Sequence, residues 1–218
     1  MAVLLTQNNP DRVKFAAQVQ VFQLNDVNRV HAESFVQQRF SKVHNACIRE
    51  FMPSLVTVNH PNISACVGIR VATENLFIEH YLDMPIEQAH PALNIPREHI
   101  VEVGNLVSTS RHATLLLFLV IASALYEAGF REMVFCATAQ VATILKTAGA
   151  DLYPIVEADG SRMGDSLSEW GNYYDCNPII MRLSIVSIQE LIQSSELLQH
   201  RISKNLVDID TIAQSLRN

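Results

Sequence analysis

"HIVEVGNLVSTSRHATLLLFLVIASALYEAGF", His99 to Phe130, contains the most apolar run of the chain, and its reading decides the fold. No charged residue occurs between Ala113 and Tyr126. Those residues would make a helix of about 21 Å, short of the ~30 Å hydrocarbon core of a bilayer. Arg111 and His112 close the run on one side and Glu127 and Arg131 on the other, with Gly129 placed as a C′ residue. The stretch therefore reads as a buried core helix, with no transmembrane segment in the chain. Ahead of it, His99–Ser108 is rich in β-branched residues and reads as a strand with Gly104 as a bulge. After it, Met133–Thr138 ("MVFCAT") is a continuous apolar run, as expected of a strand covered on both faces. Strand, helix, strand is the pattern of a βαβ crossover.

Working outward, "VATILKTAG" is a second helix stopped by Gly149, and Leu152–Ala158 and Asn177–Ile185 are two further strands with a polar loop of Gly, Ser and Asp between them. Upstream, Ser54–His60 and Ile63–Ala72 flank Pro61-Asn62, a hairpin signal. Val36, Phe40, Val43 and Cys47 fall on one helical face, and "VQVFQLN" near residue 20 alternates like a first strand. A capping box, Ser187 with Glu190, opens a helical tail that either packs on the domain or builds a homodimer. The expected fold class is mixed α/β: one domain over residues 1–186 with a central twisted sheet flanked by helices, and a helical tail over 187–218.

The chain has 218 residues, 49% hydrophobic and 17% charged, with a net charge of -6, so it is long enough for a substantial core and has no basic patch to suit a nucleic acid. Its four cysteines are far apart in apolar contexts and read as reduced, buried thiols. The start, "MAVLLTQNNPDR", lacks the features of a signal peptide, and a cytoplasmic protein is expected. No HxxxH or HExxH pair supports a metal site, and no GxSxG elbow supports a serine nucleophile.

Glu102 is the most informative residue. An acid inside an apolar strand is costly to desolvate, and burial would raise its pKa to a value useful in a general base; the plainer alternative is that it faces solvent or pairs with Arg70. Arg70 either holds a substrate carboxylate in its planar fork or pairs with Glu79 or Glu102. Trp170, Tyr173 and Tyr174 gather in "WGNYYD", where a tyrosine can reprotonate a thiolate or the rings simply cover the sheet. Cys136 has no cation near it in sequence, and His80 is either a proton shuttle or, more plainly, a structural or surface residue.

Taken together and in this order, "FMPSLV", "GIRVA", "LFIEHYLDMPIE", "IVEVGNL", "VFCAT" and "WGNYYDCNPIIM" resemble the thermostable hemolysin family over roughly residues 35–185. The resemblance implies a fold similar to the Gcn5-related N-acyltransferases (GNAT), and especially to acyl-homoserine-lactone synthases. It implies an acyltransferase that moves an acyl group from acyl-coenzyme A (acyl-CoA) or acyl carrier protein (acyl-ACP) to the amine of a small molecule. In such a fold the donor arm lies between two splayed parallel strands. Leu106, Ser108, Thr109, Ser110 and Arg111 are then expected at the donor, and Arg70, Glu79, Asn105 and Trp170 at the acceptor. Glu102 is expected to act as base, with Tyr173 or Tyr174 as acid. The glycines of the common acetyltransferase phosphate loop are absent, and Asn105 stands where the similar synthases carry an arginine. The family name keeps two alternatives in view, a membrane-active protein and a catalytically inactive binding module.

Overall fold

A computed structural model describes residues 18–59 and 62–217. The elements are β1 (Gln18–Phe22), α1 (Arg29–His44), β2 (Ser54–Asn59), β3 (Ile63–Val71), β4 (Ile100–Ser108), α2 (Arg111–Ala128), β5 (Glu132–Ala137), α3 (Ala139–Thr147), β6 (Tyr153–Glu157), β7 (Ile179–Ser184), α4 (Ile185–Gln193), α5 (Glu196–Ser203) and α6 (Leu206–Arg217). The seven strands form one sheet in the order β1-β2-β3-β4-β5-β7-β6. Only β4 and β5 run parallel; the other neighbours are antiparallel. This is the mixed α/β architecture expected, one central sheet flanked by helices.

The crossover from β4 to β5 is α2. Ser110 caps it, its hydroxyl accepting from the Ala113 N–H at 3.2 Å, and Gly129 ends it with a φ of 99°. Among the described residues α2 is the one helix long and apolar enough to cross a membrane by length and composition, and 56% of it is buried here. It lies between the sheet and the last three helices: Leu117, Val120, Ile121 and Leu125 share one core with Val67, Val101, Met133 and Leu183 of the strands and with Ile188, Ile202, Ile209 and Ile212 of the tail. The tail thus packs on α2. Its cap is Ser184, whose hydroxyl accepts from Ser187 N–H, so the expected box at Ser187 begins one turn too late.

The opposite face of the sheet carries Glu102, Val134, Cys136 and Ile180, and the segment between β3 and β4 folds over it. That segment is a string of short 3-10 turns, Phe77–Tyr81, Ile86–Gln88, Pro91–Leu93 and Arg97–His99, which buries Leu76, Ile78, Tyr81, Ile86 and Leu93 against the strands. Next to it α1 lays Ala32, Val36 and Phe40 on the same side. The expected face of α1 is shorter than its spacing suggested. Val43 is largely exposed, and the helix stops at Asn45 in a left-handed turn, leaving Cys47 outside it and exposed. Cys176 is exposed too, so only Cys66 is fully buried and Cys136 partly so. The Pro61 of the expected hairpin turn lies outside the described residues.

At one edge β7 inserts between β5 and β6. Its central residues are buried whereas β6 is mostly exposed and contains Pro154, a residue suited to an edge strand. Because Ile212 of α6 is buried against α2, Ile212→Ala should cost about 2–5 kcal/mol of stability. Urea unfolding checks this, and a loss under about 1 kcal/mol would mean the tail is an appendage.

Candidate active site

The parallel pairing of β4 with β5 runs from Ile100–Glu132 to Val103–Phe135 and stops, although β4 continues to Ser108 and β5 to Ala137. The parting follows a bulge. Gly104 faces Gly68 and Val107 faces Cys66, so β4 spends one residue more than β3 in between, and Asn105 takes a left-handed φ of 48°. The bend is pinned from outside the sheet: Asn105 Oδ1 accepts from Met52 N–H at 2.8 Å. Arg29, the buried first residue of α1, donates to the carbonyls of Met52 and Pro53, both at 2.6 Å.

A cavity of about 240 Å³ opens between the two strands. Phe40, Phe51, Met52, Val103, Leu106, Phe135 and Ile144 make its walls apolar. At its inner end, where the strands still pair, are Arg70 and Glu102; at the C-terminal ends of the strands are Arg39, Ser108, Thr114, Thr138 and Gln140.

Glu102 is 1% exposed. Its Oε2 accepts from Phe77 N–H at 2.7 Å and its Oε1 from Ile78 N–H at 3.0 Å, so the carboxylate caps the first 3-10 turn. Burial pushes the carboxyl up to about 7, against the opposing pull of those two N–H groups and of the Arg70 charge. Arg70 lies directly opposite on β3, yet no ion pair joins the two. Its Nη1 reaches the Asn75 carbonyl at 3.4 Å, and its Nε is buried without a partner.

Several expected site residues lie elsewhere. Glu79 does not line the cavity. Burial works against its charge, but Arg97 at 2.8 Å and the N–H groups of Ile86 and Leu76 hold its carboxyl below the ordinary range, so its role here is to staple the 3-10 segment. Tyr174 is outside the lining and shares a 2.7 Å hydrogen bond with the hydroxyl of Tyr81, which is part of it. Thr109, Ser110 and Arg111 are exposed and also outside it; Thr109 N–H goes to the Ser64 carbonyl of β3 and the Ser110 hydroxyl caps α2. His80 is exposed, bonded to the Phe77 carbonyl, and no group of three or more potential metal ligands occurs among the described residues.

Asn105, Leu106, Ser108, Trp170 and Tyr173 do line the cavity. Trp170 packs against Phe40, Phe77 and Tyr173, with ring centroids 5.4–6.1 Å apart. Tyr173 is buried and donates to Cys136 Sγ at 3.4 Å; burial holds its hydroxyl well above the ordinary phenol range and pushes the Cys136 thiol up to about 11. Both stay protonated at neutral pH. Arg39, His44, Met52 and Phe77 are lining residues that sequence reasoning missed. The available signal was Arg39 beside Phe40, a cation on the edge of the apolar stripe of α1. Burial lowers the pKa of His44, which is therefore neutral at pH 7.

The family model described as thermostable hemolysin matches residues 22–188. No curated protein sequence matches the chain. Among solved structures, the fold is similar to that of the acyl-homoserine-lactone synthase LasI, at 11% identity over 78% of this chain and 90% of that one, with a TM-score of 0.56. It is similar to FeeM, an N-acyl amino acid synthase from uncultured soil microbes, at 14% identity over 84% and 99%, TM-score 0.57. It also resembles BjaI, a CoA-dependent acyl-homoserine-lactone synthase solved with SAM and isopentyl-CoA, at 10% identity over 82% and 89%, TM-score 0.51.

A carboxyl whose folded pKa lies above its unfolded value stabilises the folded state at low pH and loses that contribution as pH rises toward the folded value. For Glu102 the window runs from about 4.5 to about 7, and the loss is on the order of 3 kcal/mol. Wild type should therefore weaken relative to Glu102→Gln across this window. Chemical denaturation at several pH values reads it, and parallel curves would mean that Glu102 titrates normally.

Proposed function

This chain belongs to the thermostable hemolysin family, and we propose that it is an N-acyltransferase. In this reading it moves an acyl group from a phosphopantetheine thioester to the amine of a small molecule. The observation that carries the reading is the parting of β4 and β5 around a cavity with a fully buried carboxyl at its inner end. Of the proteins that share the fold, LasI and BjaI are acyl-homoserine-lactone synthases and FeeM is an N-acyl amino acid synthase, which supports the same reaction class.

The acceptor nitrogen attacks the thioester carbonyl carbon. The C–N bond forms, the C–S bond breaks, Glu102 takes the proton of the amine and the sulfur leaves as thiolate. A carboxyl near 7 suits the first transfer at neutral pH. It suits the second as well: an ordinary thiol titrates near 8.5, so the proton passes downhill from Glu102 to the departing sulfur and the base is regenerated. Tyr173, too weak an acid to supply that proton, can donate a hydrogen bond to the leaving sulfur. In this reading Arg70, whose Nε has no partner and which faces Glu102 from the next strand, takes an acceptor carboxylate. The reaction needs no metal and no covalent enzyme intermediate.

The test is thiol release and product mass with acyl-CoA or acyl-ACP donors against a panel of amino acids and small amines. Glu102→Gln should cost about 10²- to 10⁴-fold in kcat/KM. It should leave the acyl-CoA-induced rise in melting temperature intact. Wild-type kcat/KM should fall as pH drops through about 7, since only the carboxylate accepts a proton. Absence of thiol release with every donor, together with vesicle permeabilisation by substrate-free protein, would sink the enzyme reading in favour of a membrane-active one.

A further inference from the structure

The expected anchor for the donor phosphate was the start of α2 with Arg111, but Arg111 lies outside the cavity, the Thr109 N–H is bonded to the Ser64 carbonyl of β3 and the Ser110 hydroxyl caps the helix. A different cation occupies the cavity at that end. Arg39 of α1 crosses to the end of β4, where its Nη2 donates to the Ser108 carbonyl at 2.7 Å. Its Nε is buried without a partner, and no carboxylate pairs with it among the described residues. One hydrogen bond orients the guanidinium while further donors stay unused beside a polar rim of Ser108, Thr138 and Gln140.

Resting on the acyltransferase reading, we propose that Arg39 binds the phosphate of the donor's 4′-phosphopantetheine arm. Length supports it. From Glu102 to Ser108 an extended strand spans about 20 Å, somewhat less across the bulge. The arm from sulfur to phosphorus, thirteen ordinary bonds, extends to about 16 Å. With the thioester at Glu102, the phosphate arrives at the strand ends, under Arg39. The walls between suit the arm, since they are apolar and formed by parted strands with unpaired backbone groups for its two amides. A guanidinium fork matches phosphate oxygens, and desolvation at a half-buried site strengthens the contact. The absent glycine loop is then no obstacle, because the anchoring charge comes from the other side of the cleft. The same phosphopantetheine is carried by coenzyme A and by acyl carrier protein, and Arg39 would serve both.

The experiment measures binding of one acyl chain presented as acyl-pantetheine, acyl-phosphopantetheine and acyl-CoA. The proteins are wild type, Arg39→Gln, Arg39→Lys and Arg111→Gln, each first checked for an unchanged melting temperature. Wild type should bind the phosphorylated arm at least tenfold more tightly than acyl-pantetheine. Arg39→Gln should erase that preference, Arg39→Lys should keep part of it, and Arg111→Gln should keep all of it. Loss of folding in Arg39→Gln leaves the Arg39→Lys and Arg111→Gln comparison to decide. Equal wild-type affinity for arm and phospho-arm, or loss of the preference only in Arg111→Gln, overturns the assignment while sparing the enzyme reading. Failure of folded wild type to bind any of the three overturns both. Where the preference holds, acyl-CoA binding no tighter than acyl-phosphopantetheine identifies a carrier protein as the source, and markedly tighter binding identifies coenzyme A.

Discussion

Two parallel strands that hydrogen-bond for part of their length and then separate leave backbone N–H and C=O groups that need other partners. That constraint governs this molecule. Pairing ends after Val103 and Phe135, and the separation is enforced by an extra residue in β4 with Asn105 in a left-handed turn. Holding Asn105 there requires the Met52 N–H, and holding the Met52 strand-entry requires Arg29, whose guanidinium is spent on three backbone carbonyls and Glu33. A chain of polar contacts from α1 to β4 thus keeps the cleft open.

The same economy appears at Glu102. Glu102 is expensive to bury, and the structure compensates with two N–H groups at the start of a 3-10 turn rather than with a cation. A full ion pair with Arg70 would have lowered the pKa and left both groups occupied. Two neutral donors satisfy the carboxylate yet allow burial to prevail, which is how the carboxyl reaches about 7. The cost is transferred to the segment that supplies the donors. Arg97 gathers Glu79, Glu87 and the Ala72 carbonyl, and so fixes the 3-10 string in place over the sheet. Glu79, which resembled a site residue in sequence, supports the site at one remove.

The central motif was legible because its signals are local and strong. An uncharged helical run with a serine cap and a terminal glycine, between two β-branched stretches, admits few alternatives, and Glu102 stands out as the one acid in the otherwise uncharged stretch Ile100–Ser108. The segment 72–99 was not legible, because short 3-10 turns have neither a 3.6 nor a 2.0 period and their order comes from Arg97 and Glu102, contacts distant in sequence. The insertion of β7 between β5 and β6 was equally hidden, since hairpin order would place β6 next to β5 and only the exposure of Pro154 and its neighbours reveals the edge. At the donor end, reasoning from helix N-termini favoured Ser108–Arg111. The Ser110 hydroxyl caps its own helix, and the Thr109 N–H is taken by Ser64 of β3, a contact distant in sequence.

A family named for lysis invites a search for a membrane-inserting element, and α2 has the composition for one. Its position argues against that use. It is the middle layer of the molecule, covered by the sheet on one side and by α4, α5 and α6 on the other, so its release would expose every apolar face that those elements bury against it. The proposed chemistry reaches a bilayer without such a rearrangement. An amide that joins an apolar acyl chain to a small acceptor held through its carboxylate is an amphiphile, with one end that partitions into lipid and one that stays in water. Lysis by such a product would require an acyl donor and an acceptor, whereas a protein that inserts α2 would act independently of any acyl donor.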